Sequence, residues 1–187
     1  LRYAPSFEYR DMLWLSATDG DWACRNRLNG SFTGCGERHG GRWTWADPFT
    51  HSFHWMVPAD RYAEKHPEYF SFRTGQGRLT AGAQLCLSNP DVFAICRDFV
   101  LERMAAGARI VSVSQNDCAN PCQCDRCAEK DRRAKSHAGS LLEFLNRIAE
   151  ATTSRYPDRY VSTLAYTYTQ TPPEGMEAHP NVIVKLC

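Results

Sequence analysis

The stretch ARIVSVSQND, residues 108–117, decides how this chain is read. It opens with alternating β-branched and small residues, as in a buried strand, and stops abruptly at Gln115-Asn116-Asp117. Four cysteines follow within ten positions: Cys118, Cys122, Cys124 and Cys127. Upstream, Asn89 is a fitting N-cap, with Pro90 at the first helical position. Phe93, Ile95 or Cys96, Phe99, Val100 and Met104 then fall on one helical face, and Gly107 ends the helix. Downstream, SHAGSLLEFLNRIAEATTSRY (136–156) carries Leu141, Leu142, Phe144 or Leu145, Ile148 and Ala149 at helical spacing, and Pro157 stops it. RYVSTLAYTYT (159–169) and NVIVKLC (181–187) read as further strands.

Working outward, MLWLSA (12–17), 28–33 and SFHWMV (52–57) read as earlier short strands. PADRYAEKHPEYF (58–70) begins as a helix that Pro67 limits. Strands alternating with helices predict a parallel sheet with helical crossovers. The continuously apolar late strands suit a sheet covered on both faces. No glycine-rich phosphate fingerprint follows any strand, which disfavours dinucleotide binding. The expectation is an incomplete (β/α)8 barrel of five to six βα units, since a full barrel takes about 250 residues. Residues 109–114, 160–166 and 181–186 are expected to be adjacent parallel strands. The chain begins at Leu1 and ends inside an apolar run at Cys187, and so reads as a piece of one domain, truncated at both ends.

The 187 residues are 43% hydrophobic and 23% charged, with a formal net charge of +1. No run of one sign argues for a nucleic-acid track or an anionic surface. No stretch reaches the ~20 consecutive apolar residues of a membrane span. Nine cysteines make an odd number, so full internal pairing is impossible. Cys24, Cys35, Cys86, Cys96 and Cys187 are scattered and read first as small buried hydrophobes. Cys122, Cys124 and Cys127, with Cys118 as the fourth, read as a structural staple made either by zinc or by disulfides.

Function in parallel α/β folds gathers at the carboxyl ends of strands. Those ends supply Arg10, His54, Trp55, Gln115, Asn116, Asp117, Tyr166 and Tyr168. Aromatic faces stack on sugar rings, while amides, carboxylates and arginine hydrogen-bond to hydroxyls. A glycan is therefore the expected partner. His51 and His54 would face opposite sides of a strand, a poor geometry for one metal. Asp19 and Asp47 are the candidate second carboxylates, because most glycosidases use a pair.

Nine stretches resemble a known family: PSFEYRDM (5–12), RNRLNG (25–30), HSFHWMVPADRYAEKHPEYFS (51–71), QLCLSNPDV (84–92), VSVSQNDC (111–118), CQCDRC (122–127), GSLLEFLNRIAE (139–150), YPDRYVSTLAYTYTQTPP (156–173) and NVIVKLC (181–187). They resemble the bacterial domain of unknown function 4838, a glycoside-hydrolase-like barrel family that overlaps glycoside hydrolase family 163. A more distant likeness is to the family 20 hexosaminidases. By that likeness Arg10 matches an arginine that holds sugar hydroxyls. Asn116-Asp117 stands where those enzymes carry an Asp-Glu pair that orients a 2-acetamido group and protonates the leaving oxygen. The resemblance implies a glycoside hydrolase acting on N-acetylhexosamine-containing glycans, in a bacterial, periplasmic or secreted setting. It makes Asp117 and Asn116 the catalytic pair. A non-catalytic carbohydrate-binding barrel and a scaffold built on a structural zinc module are the alternatives.

Overall fold

In the computed structural model, residues 6–187 are described; Pro5, the first residue of one stretch carrying the family resemblance, lies outside them. The chain divides into two units, Leu1–Trp45 and Ala46–Cys187. The first unit holds a 3-10 turn at Leu15–Thr18, helix α1 (Gly20–Arg25) and a second 3-10 turn at Glu37–His39. Asp19 caps α1, its carboxylate accepting from the N–H groups of Asp21 and Trp22.

In the second unit two short helices, α2 (Phe53–Met56) and α3 (Ala59–Tyr62), lead to a two-stranded antiparallel hairpin of β1 (Phe72–Arg73) and β2 (Gly77–Arg78). Helix α4 (Pro90–Ala105), strand β3 (Ile110–Ser112), helices α5 (Asp125–Arg133) and α6 (Ala138–Thr153), and strands β4 (Tyr160–Ala165) and β5 (Val182–Leu186) follow. The last three strands form one parallel sheet in the order β3-β4-β5, the adjacency the sequence predicts for them. No described helix is long and apolar enough to cross a membrane.

The barrel expectation is overturned. Among the described residues there are three parallel strands and a separate hairpin, with no barrel of five or six βα units. The early apolar runs account for the difference. In 12–17, Leu13 and Leu15 are 79% and 85% exposed, and the chain coils into the 3-10 turn. In 28–33 a turn closes instead, with the Thr33 N–H on the Gly30 carbonyl. In 52–57 the chain forms α2. Phe53, Met56 and Val57 are buried at helical spacing, while His54 and Trp55 face out. Just before it, Pro48 has no N–H to give a ladder, and His51 sits at φ 50°. The segment still runs alongside β3. Ala46 N–H bonds to the Ile110 carbonyl and Phe53 N–H to the Ser114 carbonyl.

One apolar core joins α4, α6 and the sheet. Val92, Cys96, Val100 and Met104 form the buried stripe of α4; Cys96, Val100 and Met104 lie on the expected face, while Phe93 and Phe99 are at its margin. Phe144 of α6 meets Phe53 and Phe93 edge to face, at 6.4 and 5.9 Å between ring centroids. Each such buried side chain contributes about 1.5–3 kcal/mol. Asn89 caps α4 by accepting from the Asp91 and Val92 N–H groups. Asn89→Ala should cost about 1 kcal/mol, read as a lower urea midpoint with an unchanged slope.

Where α6 follows α5, Gly139 leaves no room for a side chain. A Cβ there would lie 2.5 Å from the Ala134 Cβ and 3.0 Å from the Lys130 carbonyl oxygen. Alanine gains about 1 kcal/mol in helix propensity, but overpacking costs about 1–3 kcal/mol. These atoms are fixed to the helix backbone and cannot swing aside, so Gly139→Ala should lower the melting temperature. An unchanged or raised value would show that the two helices can separate freely.

Candidate functional site

The chain after β3 is held by one buried side chain. Gln84 Nε2 donates to the carbonyls of Asn116 and Cys118, at 2.8 and 2.7 Å, and its Oε1 accepts from the Asn116 N–H at 2.9 Å. The Asn116 side chain is committed as well. Its Oδ1 accepts from the His54 N–H and its Nδ2 donates to the Ala83 carbonyl. Both edges of that amide therefore meet backbone, and Asn116 fixes the corner rather than offering itself to a substrate. Gln115 is fully buried. Its Nε2 donates to the Tyr166 carbonyl and Thr169 Oγ1, joining the ends of β3 and β4 beneath the surface. It is a strut, not the sugar ligand expected from its position.

These bonds leave Asp117 projecting into solvent. Tyr166 Oη donates to Asp117 Oδ1 at 3.0 Å. That hydrogen bond, and then the carboxylate charge, raise the pKa of the exposed Tyr166 hydroxyl. His51 donates from Nδ1 to the Gln115 carbonyl, and its ring lies 5.7 Å from that of Tyr166. A cleft of about 250 Å³ opens beside Asp117, walled by His54, Phe70, Thr80, Ala83, Asn116 and Cys118 among others. Among the described residues, Asp117 is the only carboxylate lining it. Trp55 is 62% exposed and its ring lies 5.3 Å from that of His54.

The two tyrosines diverge at a 3-10 turn, Thr167–Thr169, that ends the strand. Thr167 has φ 50°. Tyr168 turns inward to meet His137 edge to face at 6.2 Å, and burial pushes its hydroxyl pKa upward. It therefore stands apart from the cleft. Arg10 lies in the first unit, where its guanidinium donates to the carbonyls of Phe7, Glu8 and Arg27. Asp19, a candidate second carboxylate, is the helix cap described above.

The second constellation is sulfur. Cys86, Cys122, Cys124 and Cys127 place their Sγ atoms all within 4.8 Å of one another, and three of the four residues are buried. Four such thiols can hold a metal ion. A tetrahedral ion with ligand distances of about 2.3 Å would set its sulfurs about 3.8 Å apart; Cys86 and Cys124 are at 3.7 Å. Hydrogen bonds with Cys122 and Cys127 pull the Cys86 thiol well below its ordinary pKa, while those of Cys127 with Cys122 and Cys86 push Cys127 up.

The fourth member corrects the sequence expectation. Cys118 stands outside the cluster, its Sγ 3.2 Å from Gln84 Nε2 on the cleft wall. Cys86 takes its place. An antiparallel bridge between Phe70 and Leu85 carries Cys86 to the loop, and the Cys86 N–H is fixed on the Tyr69 carbonyl. Of the other scattered cysteines, Cys96 is a fully buried core residue, as expected.

No curated protein and no solved structure matches this sequence. One family does, over residues 1–187, described as a domain of unknown function, DUF4838. A match along the whole chain is enough to conclude that the protein belongs to the domain of unknown function 4838 family.

Proposed function

We propose that this chain is carbohydrate-active, and that Asp117 is the acid of a glycoside-cleaving site in the cleft after β3. The observation that carries the reading is the Asp117–Tyr166 pair. A solvent-facing carboxylate is aimed by a tyrosine hydroxyl and by a backbone pinned through Gln84 and Asn116. Once it has taken up a proton from solvent, such a group can deliver it to a leaving oxygen without reorganising first. His54 lines the cleft, and beside it the exposed Trp55 ring, tilted 44° to the imidazole, offers an aromatic face on which a sugar ring can stack. N-acetylhexosamine-containing glycans are the substrates to try first, because a 2-acetamido group can act as internal nucleophile where a protein carboxylate is lacking.

A second reading, glycan binding without cleavage, is favoured by one fact. Among the described residues, no second carboxylate joins Asp117 in the cleft lining, and most glycosidases need two. A panel of chromogenic glycosides, run beside a glycan array on the same protein, separates the two readings. Turnover supports the first, array binding with no turnover supports the second, and neither signal defeats both.

For the cysteine cluster we propose zinc in a structural role. Four thiolates form a closed donor set and leave no open position for a substrate. The 3.7 Å between Cys86 and Cys124 sulfurs suits ligands of one ion and is far beyond the ~2.05 Å of a disulfide.

A further inference from the structure

Four thiolates around a divalent ion carry two negative charges in excess, and a largely buried centre needs something to offset them. The hairpin supplies it. Arg78 on β2 lies with Nη1 3.8 Å from Cys122 Sγ. The guanidinium is not free to wander. The same Nη1 donates to the Phe70 carbonyl at 2.7 Å, and the group sits 5.7 Å from the centroid of the Phe72 ring. Phe72 pairs with Arg78 across the hairpin, and its own N–H points at Cys122 Sγ, 3.4 Å away. Ser88 Oγ is 3.2 Å from Cys127 Sγ and can turn its hydroxyl toward a thiolate. The hairpin is fastened to the cysteine loop by two bonds through Gln123, one at 2.7 Å to the Phe72 carbonyl and one at 3.0 Å from the Thr74 N–H.

We propose that Arg78 is the outer-sphere cation of the four-cysteine centre, a positioning residue that retains the metal by offsetting thiolate charge. The proposal rests on the reading that Cys86, Cys122, Cys124 and Cys127 bind zinc. Phe72 N–H and Ser88 supply neutral hydrogen bonds, and Arg78 supplies the full charge. A hairpin with strands of only two residues then has a function beyond its own marginal stability, which is to carry that charge to the sulfurs.

The test is zinc affinity of the full chain, read by competition with a chromophoric chelator, with cobalt uptake as a spectroscopic check on thiolate ligation. Arg78→Gln should bind zinc about 10–100-fold more weakly, the usual effect of losing an outer-shell partner. Arg78→Lys should fall between the two. Arg78 also packs on Phe72, so the melting temperature of each protein is measured with and without zinc. A charge-offsetting role lowers the zinc-loaded value and leaves the zinc-free value unchanged. Affinity within twofold of the parent, or equal losses of stability in both forms, would overturn the proposal. If the parent chain takes up neither zinc nor cobalt, the metal reading itself has failed before any Arg78 variant is compared.

Discussion

Chains carrying Cys86→Ser should lose bound zinc almost completely, while Cys118→Ser should keep close to one ion per chain. The contrast follows from placement, because Cys86 is in the sulfur cluster and Cys118 is held on the cleft wall by Gln84. Structural zinc binding is worth about 10–16 kcal/mol in small peptide sites. A whole domain is stable by only about 5–15 kcal/mol. Even partial loss of the ion therefore removes a large share of the folded state's margin. We expect Cys86→Ser to melt where the chelator-treated parent melts, and further chelator to have no effect on it. Elemental analysis and thermal melts with and without chelator check both parts. Metal retained by Cys86→Ser but lost from Cys118→Ser would exclude Cys86 as the fourth ligand.

The second large effect is kinetic. On any glycoside the chain is shown to cleave, Asp117→Asn should reduce turnover by about 10²–10⁴, which corresponds to about 2.7–5.5 kcal/mol of barrier. Glycan binding should persist, because asparagine keeps the size and an acceptor oxygen. A structural readout accompanies the rate. In the parent the Asp117 carboxylate raises the pKa of the Tyr166 hydroxyl, which keeps its proton to higher pH than a free tyrosine. Removing the carboxylate charge should bring Tyr166 back toward the ordinary value near 10, visible as earlier phenolate absorbance in an alkaline titration. If turnover survives and the tyrosine still moves, the variant has changed the site as intended and Asp117 is not the acid.

Much of the second unit is legible in the sequence, because its elements are long and carry several independent signals. The cap at Asn89, the proline after it and the apolar stripe all agree on α4. The stripe of α6 is buried from Leu141 to Ala149, and the three parallel strands lie where the apolar runs predict. The short runs fail for a physical reason. Six residues such as SFHWMV fit a strand or one helical turn equally well. The choice falls to Pro48, to the left-handed His51, and to the Ser114 and Asn116 side chains, which accept from the N–H groups of Ser52 and His54. Those last are long-range partners that no local pattern contains.

The candidate site divides in the same way. Asp117 and Tyr166 are found from strand ends alone, and they meet. Gln115, Asn116 and Tyr168 have the right chemistry, but their polar groups are taken up by the protein or turned inward. Cys86 escapes notice because its neighbours in sequence, QLCLSNP, look like ordinary core. Only the bridge from Phe70 to Leu85 brings it to the other three sulfurs.

That bridge also implies an order of events along the folding path. Cys86 and Cys124 are 38 positions apart, with α4 and β3 between them. Cys122, Cys124 and Cys127 can meet an ion early, within a loop that closes in well under a microsecond. The fourth sulfur is expected to arrive once the intervening helix and strand have docked, since loop closure has to precede the contact that rewards it. Zinc in this protein would then act less as a nucleus than as a latch. In a refolding experiment followed by cobalt absorbance, the full tetrathiolate spectrum should develop with the last kinetic phase, after far-ultraviolet helicity has recovered.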